Sequence, residues 1–168
     1  LEALGILREA AKERGDIEQD PRFLGMQGAA NVMAHRLVAA EDSLSRGPLR
    51  DDPSAALWRA MVAFERGEWE RANEFFLKAD DQIYAYAPDK AAVFSAARAE
   101  AALNTNDYDG ARRHAEQAIA GGKGEAAERA QLTLATLSSV IDGPSAAYDE
   151  FDRLAKHASE PVAVRAEL

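Results

Sequence analysis

The stretch Pro53-Ser-Ala-Ala-Leu57-Trp58-Arg-Ala60-Met61-Val-Ala-Phe64-Glu-Arg-Gly67-Glu-Trp69-Glu-Arg-Ala72-Asn-Glu-Phe-Phe76-Leu-Lys-Ala79 decides the fold. Asp52 stands before Pro53, an N-cap carboxylate ahead of a proline whose missing N–H costs nothing in a first turn. Leu57, Ala60, Met61 and Phe64 then recur at helical spacing, so the residues form one apolar stripe. Gly67 interrupts the pattern, and Trp69, Ala72 and Phe76 restart it. The reading is helix, tight turn, helix, with two small residues, Ala60 and Ala72, where the helices face each other. Small side chains there let two backbones approach closely.

Outward from this segment the pattern repeats. A small residue is followed twelve positions later by an alanine at Gly28 and Ala40, Ala60 and Ala72, Ala99 and Ala111, and Ala135 and Ala147. A turn follows the first small residue by seven positions, at His35, Gly67, Asn106 and Asp142, and Leu44, Phe76, Ala115 and Phe151 lie four beyond the second. The units are offset by 32, 39 and 36 residues. With 37 alanines and 11 glycines the small-residue coincidence alone is cheap, and the turn and the following apolar position falling in the same register carry the weight. Helices are expected over 1–14, 21–34, 37–46, 53–66, 69–81, 89–105, 108–121, 124–141 and 144–157, with another beginning at 161. Alternating β-branched runs and Asn-Gly hairpins are missing, so the class is all-α.

Gly67-Glu-Trp69-Glu-Arg-Ala72-Asn-Glu-Phe-Phe76-Leu-Lys-Ala79 and Asn106-Asp-Tyr108-Asp-Gly-Ala111 resemble the tetratricopeptide repeat. The first-helix Trp, Leu-Gly and Tyr of that family's pattern are largely missing. The resemblance implies a right-handed superhelix, a solenoid of antiparallel helix hairpins, running as a single domain over 1–168. Its units span about 21–50, 53–87, 89–122 and 124–158, with 1–14 and 161–168 as partial units. It also implies that first helices line a concave groove, with Trp69 and Tyr108 plugging the gap to the next pair. The groove register is Arg22, Met26, Ala29 and Met33; Ser54, Trp58, Met61 and Glu65; Val93, Ala97, Glu100 and Asn104; Arg129, Thr133, Thr136 and Val140. The expected partner-binding residues are Arg22, Met26, Met33, Trp58, Met61, Glu65, Glu100, Asn104 and Arg129. Trp58, Met61 and Met26 equally suit a core between neighbouring first helices. The Lys/Asn set with which some members grip a C-terminal carboxylate is not present as a set.

Other motifs carry little chemistry. Thr105-Asn-Asp107-Tyr-Asp109-Gly110 with Glu116 nearly spells a calcium loop, but Thr105 replaces the first carboxylate and Arg112 the apolar anchor. The competing reading is a helix corner capped by Asp107. Gly121-Gly-Lys-Gly124 lacks the upstream glycine and the following Ser or Thr of a phosphate loop, and reads as a helix end. His35, His114 and His157 share no metal-ligand spacing. The chain has no cysteine, hence no disulfide framework, thiol nucleophile or Cys zinc site. No catalytic residue, metal site or cofactor is expected.

The formal charge of −9 opposes binding to nucleic acid or an anionic membrane surface, and no apolar run reaches the length of a membrane span. The expected job is non-enzymatic: an interaction scaffold that takes a peptide or helix of a partner protein. The alternative is a structural spacer or self-assembly module of a larger protein. The opening on Leu1 and the helix start at Pro161 suggest an excised piece, with self-association open to it through the cut ends. Composition suits a cytoplasm or a bacterial periplasm equally.

Overall fold

The computed structural model describes residues 2–167; Leu1 and Leu168, which belong to the first and last predicted segments, lie outside the described residues. The fold is all-helical, with no strand among the described residues. Among the described residues eleven α-helices follow one another. They are α1 (Glu2–Glu13), α2 (Pro21–Met33), α3 (Leu37–Leu44), α4 (Pro53–Glu65), α5 (Trp69–Lys78) and α6 (Asp80–Ile83). Then come α7 (Pro88–Asn104), α8 (Tyr108–Gly121), α9 (Glu125–Asp142), α10 (Tyr148–His157) and α11 (Glu160–Glu167). Short 3₁₀ turns at Gly15–Gln19, Gly47–Leu49 and Pro144–Ala146 fill three connections.

Three hairpin turns share one chemistry. His35, Gly67 and Asn106 take left-handed backbone with φ of 53°, 70° and 60°. The next residue in each turn donates its N–H back into the helix just ended: Arg36 to Asn31 O, Glu68 to Ala63 O and Asp107 to Ala102 O, each at 2.9 Å. This 6→1 closure satisfies carbonyls that a helix end otherwise leaves bare. The fourth turn differs. Gly143 takes φ 95° and ψ 162°, and Pro144 opens a 3₁₀ turn, so α10 begins at Tyr148 rather than at 144. The expected helix over 69–81 also breaks, at Ala79, and resumes as the short α6.

Helix starts follow the carboxylates. Asp20 accepts from the N–H of Arg22 at 2.7 Å, Asp52 from Ser54 at 2.7 Å and Ala55 at 3.1 Å, and Asp107 from Gly110 at 3.0 Å. Asp107 is therefore the cap of the helix corner. Glu116, the closing residue of the calcium-like pattern, is exposed on α8. Gly121 ends α8, Gly122 N–H bonds Ala118 O, and Gly124 precedes α9, so the glycine-rich run is a corner between helices.

The chain divides into two compact units, residues 1–82 and 83–168, where the sequence suggests a single array. The division falls in the longest repeat offset, in which α6 and the non-helical Tyr84–Ala87 separate the second hairpin from the third. In the first unit Ala40, Ala60 and Ala72 are fully buried, together with Leu44, Leu57 and Phe76. Gly28 lies so close to Leu44 that it leaves no room for a side chain. Trp69 meets Phe64 of its own hairpin edge-on, with ring centroids 5.7 Å apart. Across the surface Glu41 of α3 accepts from Arg66, after α4, and from Arg71 of α5, which also bonds Glu68. Those bonds hold the Glu41 carboxyl below its ordinary value. In the second unit Ala96, Ala99, Ala115, Ala118 and Ala130 form one core cluster. Leu132, Leu154 and Val162 form another, which seats α11 against α9 and α10.

Candidate functional site

The second unit holds a cavity of about 400 Å³ built mainly from side chains of α7 and α9. Its walls are Glu100, Leu103 and Asn104 of α7; Arg129, Leu132, Thr133, Thr136 and Val140 of α9; and Arg165 of α11, with Asn106 and Tyr108 at the α7–α8 turn. The spacing of the sequence puts them there. Arg129, Thr133, Thr136 and Val140 recur at i, i+4, i+7 and i+11 and share one face of α9, and Glu100 and Asn104 do the same on α7.

Glu100 is the electrostatic centre. Its side chain is only 8% exposed and accepts three N–H bonds. Arg165 forks onto it, Nη2 to Oε1 at 2.6 Å and Nη1 to Oε2 at 3.3 Å, and Arg129 Nη2 reaches Oε2 at 3.0 Å. Burial pushes the Glu100 carboxyl up. The Arg165 hydrogen bond and the charges of Arg129 and Arg165 more than reverse that, so it titrates below its ordinary value. A carboxylate so engaged is a poor general base. The charged groups of the lining, Glu100, Arg129 and Arg165, sum to +1, against −9 for the whole chain.

Away from the charges the cavity becomes neutral. Thr133 and Thr136 donate their hydroxyls to Arg129 O at 3.0 Å and Leu132 O at 2.8 Å, which leaves oxygen lone pairs as acceptors. Asn104 Nδ2 donates to Glu100 O at 2.8 Å, and Tyr108 Oη meets Asn106 Oδ1 at 3.2 Å. Leu103, Leu132 and Val140 add apolar wall. Such a mixture suits binding.

Of the residues expected to meet a partner, the structure brings Glu100, Asn104 and Arg129 together. Arg22, Met26 and Met33 lie along the exposed face of α2, the methionines 55% and 57% exposed. Glu65 is exposed, its carboxylate 3.6 Å from His35 Nδ1. Trp58 and Met61 are buried, 8% and 7% exposed, which matches the core placement that the sequence left open beside the groove. They sit on α4, the most buried helix of its unit, where every residue from Ala55 to Phe64 except Arg59 is buried. Apolar side chains on all faces of a helix have nowhere to go but the core.

Arg165 is the cavity-lining residue that the sequence reading missed. It follows Arg129 by 36 residues, the same interval that separates Val93 from Arg129, so extending the groove register into α11 would have found it. No family model matches the chain, and neither a curated protein nor a solved structure matches it.

Proposed function

We propose that this chain is a non-enzymatic protein-interaction scaffold of tetratricopeptide-like helical hairpins, expected to wind as a right-handed superhelix, which takes a peptide or helix of a partner protein. One observation carries the reading: Glu100, Asn104, Arg129, Thr133, Thr136 and Val140, picked out by the groove register of successive first helices, line one cavity. Stacked hairpins suit such work because each contacts only its neighbours, which leaves a pre-formed surface between first helices. The spent basicity of Glu100 supports a binding role over a catalytic one. The burial of Trp58 and Met61 moves the expected contact away from α4.

Selection of phage-displayed random 12-residue peptides tests the proposal. Enriched peptides should lose binding to Thr136→Trp, which fills the cavity, and keep it on Met26→Ala with Met33→Ala. Failure to enrich any peptide, or indifference to Thr136→Trp, rejects the reading. The spacer or self-assembly alternative draws on the exposed apolar Ile6 of α1 and Val164 of α11. It predicts concentration-dependent light scattering that Ile6→Asp or Val164→Asp abolishes.

A further inference from the structure

We infer that a second cavity of the unit 83–168 binds a proline-rich segment of a partner protein, at a site that shares no residue with the cavity described above. It holds about 400 Å³, inside the range of about 300–1,000 Å³ that ligand pockets occupy. Tyr84 and Tyr86, from the non-helical stretch before α7, supply its rings. Tyr86 is braced edge-on by Phe94, with ring centroids 5.0 Å apart, and Tyr84 is 61% exposed. Ala92 of α7 with Ala120 and Gly121 of α8 add only small side chains, which leaves the space open.

The polar groups define what fits. Ser95 of α7 is 4% exposed and borders the cavity, and among the described residues its hydroxyl has no hydrogen-bond partner. Leaving a buried hydroxyl unpaired is costly, and an acceptor brought into the cavity removes that cost. Gln117 of α8 accepts from His114 Nδ1 at 2.9 Å through Oε1, which leaves the two hydrogens of Nε2 to donate. The Tyr84 hydroxyl adds a further donor.

None of the nine lining residues is charged, in a chain of which 29% is charged. A carboxylate, phosphate or ammonium would lose its hydration there without gaining a counter-ion. The complementary occupant is therefore uncharged and apolar, and it brings hydrogen-bond acceptors. Proline meets all three conditions, since each residue offers a carbonyl and an apolar ring but no N–H. An ordinary backbone would also bring one N–H per residue, to a wall whose amide already presents hydrogens. A polyproline II segment is pre-formed as well, so it loses little entropy when its rings settle on tyrosines.

Fluorescence anisotropy with labelled, amide-capped decaproline tests this. Decaproline should bind saturably, and a probe with every second proline replaced by alanine, which restores N–H groups, should bind about tenfold more weakly. Raising the salt should leave the affinity within about twofold, because no charge takes part. Ser95→Ala should weaken decaproline about fivefold although alanine is the better helix former, so lost affinity with an unchanged or raised melting midpoint separates binding from folding. Tyr84→Ala, at an exposed position, should weaken it about tenfold. Ala120→Trp, also at an exposed position, should abolish binding by filling the cavity.

Thr136→Trp, in the other cavity, should leave decaproline binding unchanged, and peptides selected for that cavity should ignore Ala120→Trp. Failure at either cavity therefore leaves the reading of the other standing. The inference is overturned if decaproline does not bind, binds no better than a leucine-rich probe of the same length, or yields to Thr136→Trp. Binding that ignores Ser95→Ala, Tyr84→Ala and Ala120→Trp overturns it too.

Discussion

Two glycines of one helix should respond oppositely to the same substitution. Gly25 and Gly28 both lie within α2, where alanine in place of glycine gains about 1 kcal/mol of helix propensity. A Cβ at Gly25 would meet nothing within 4 Å, so Gly25→Ala collects that gain. At Gly28 the new carbon would lie far inside van der Waals contact with Leu44 Cγ and Cδ2, and 3.2 Å from Cδ1. Leu44 is fully buried and cannot swing into solvent. Forcing an extra carbon into a packed core costs about 1–3 kcal/mol. A clash at a branch carbon belongs at the upper end, so Gly28→Ala should destabilise the first unit by about 1–2 kcal/mol after the helix gain. Thermal melts followed by circular dichroism at 222 nm would show a midpoint raised by about 2–4 °C for Gly25→Ala and lowered by about 2–8 °C for Gly28→Ala. In a Leu44→Ala background, itself costing about 2–5 kcal/mol, Gly28→Ala should become neutral or favourable because its obstacle is gone. Equal stabilisation by the two alanines would refute the close approach of α2 and α3 through Gly28.

Other expectations concern turns and charges. Gly67→Ala, at φ 70°, should cost about 1–2 kcal/mol, whereas His35→Gly, at φ 53° and exposed, should be neutral or stabilising by up to about 1 kcal/mol; urea titrations compare them. Asp107→Ala removes the cap of α8 and should cost about 1 kcal/mol, read by the same titration. Because the folded pKa of Glu100 is depressed, its contribution is complete above the unfolded carboxylate value and is lost as pH falls through the folded one. Melts between pH 7 and pH 3 should therefore show a steeper acid loss for the wild type than for Glu100→Gln. Arg165→Ala, which leaves Glu100 to Arg129, should cost about 1.5–3 kcal/mol at pH 7 and less at pH 3.

Much of this protein was legible in its one-dimensional pattern because local chemistry decides it. A carboxylate before a first turn caps a helix wherever the chain goes, and Asp20, Asp52 and Asp107 do so. The turn positions His35, Gly67 and Asn106 repeat because the 6→1 closure needs one left-handed residue at a fixed distance from the helix end. Alanines spaced twelve apart across such turns are buried because antiparallel helices meet at that register. Breaks at Ala79 and at Pro144–Ala146 escaped because runs such as Leu77-Lys-Ala79-Asp80 and Ala146-Ala147-Tyr148 carry no helix-stopping residue.

What the pattern left open was which stripe of a first helix meets solvent. In α4 apolar residues occupy every face, and only packing within the folded unit reveals that Trp58 and Met61 are interior while Met26 and Met33 of α2 are not. The meeting of Glu100 with Arg129 and Arg165 spans 29 and 65 residues of chain. No local propensity encodes it: it exists because α9 brings Arg129, and α11 brings Arg165, to Glu100 of α7, so that charges remote in sequence meet in one cavity.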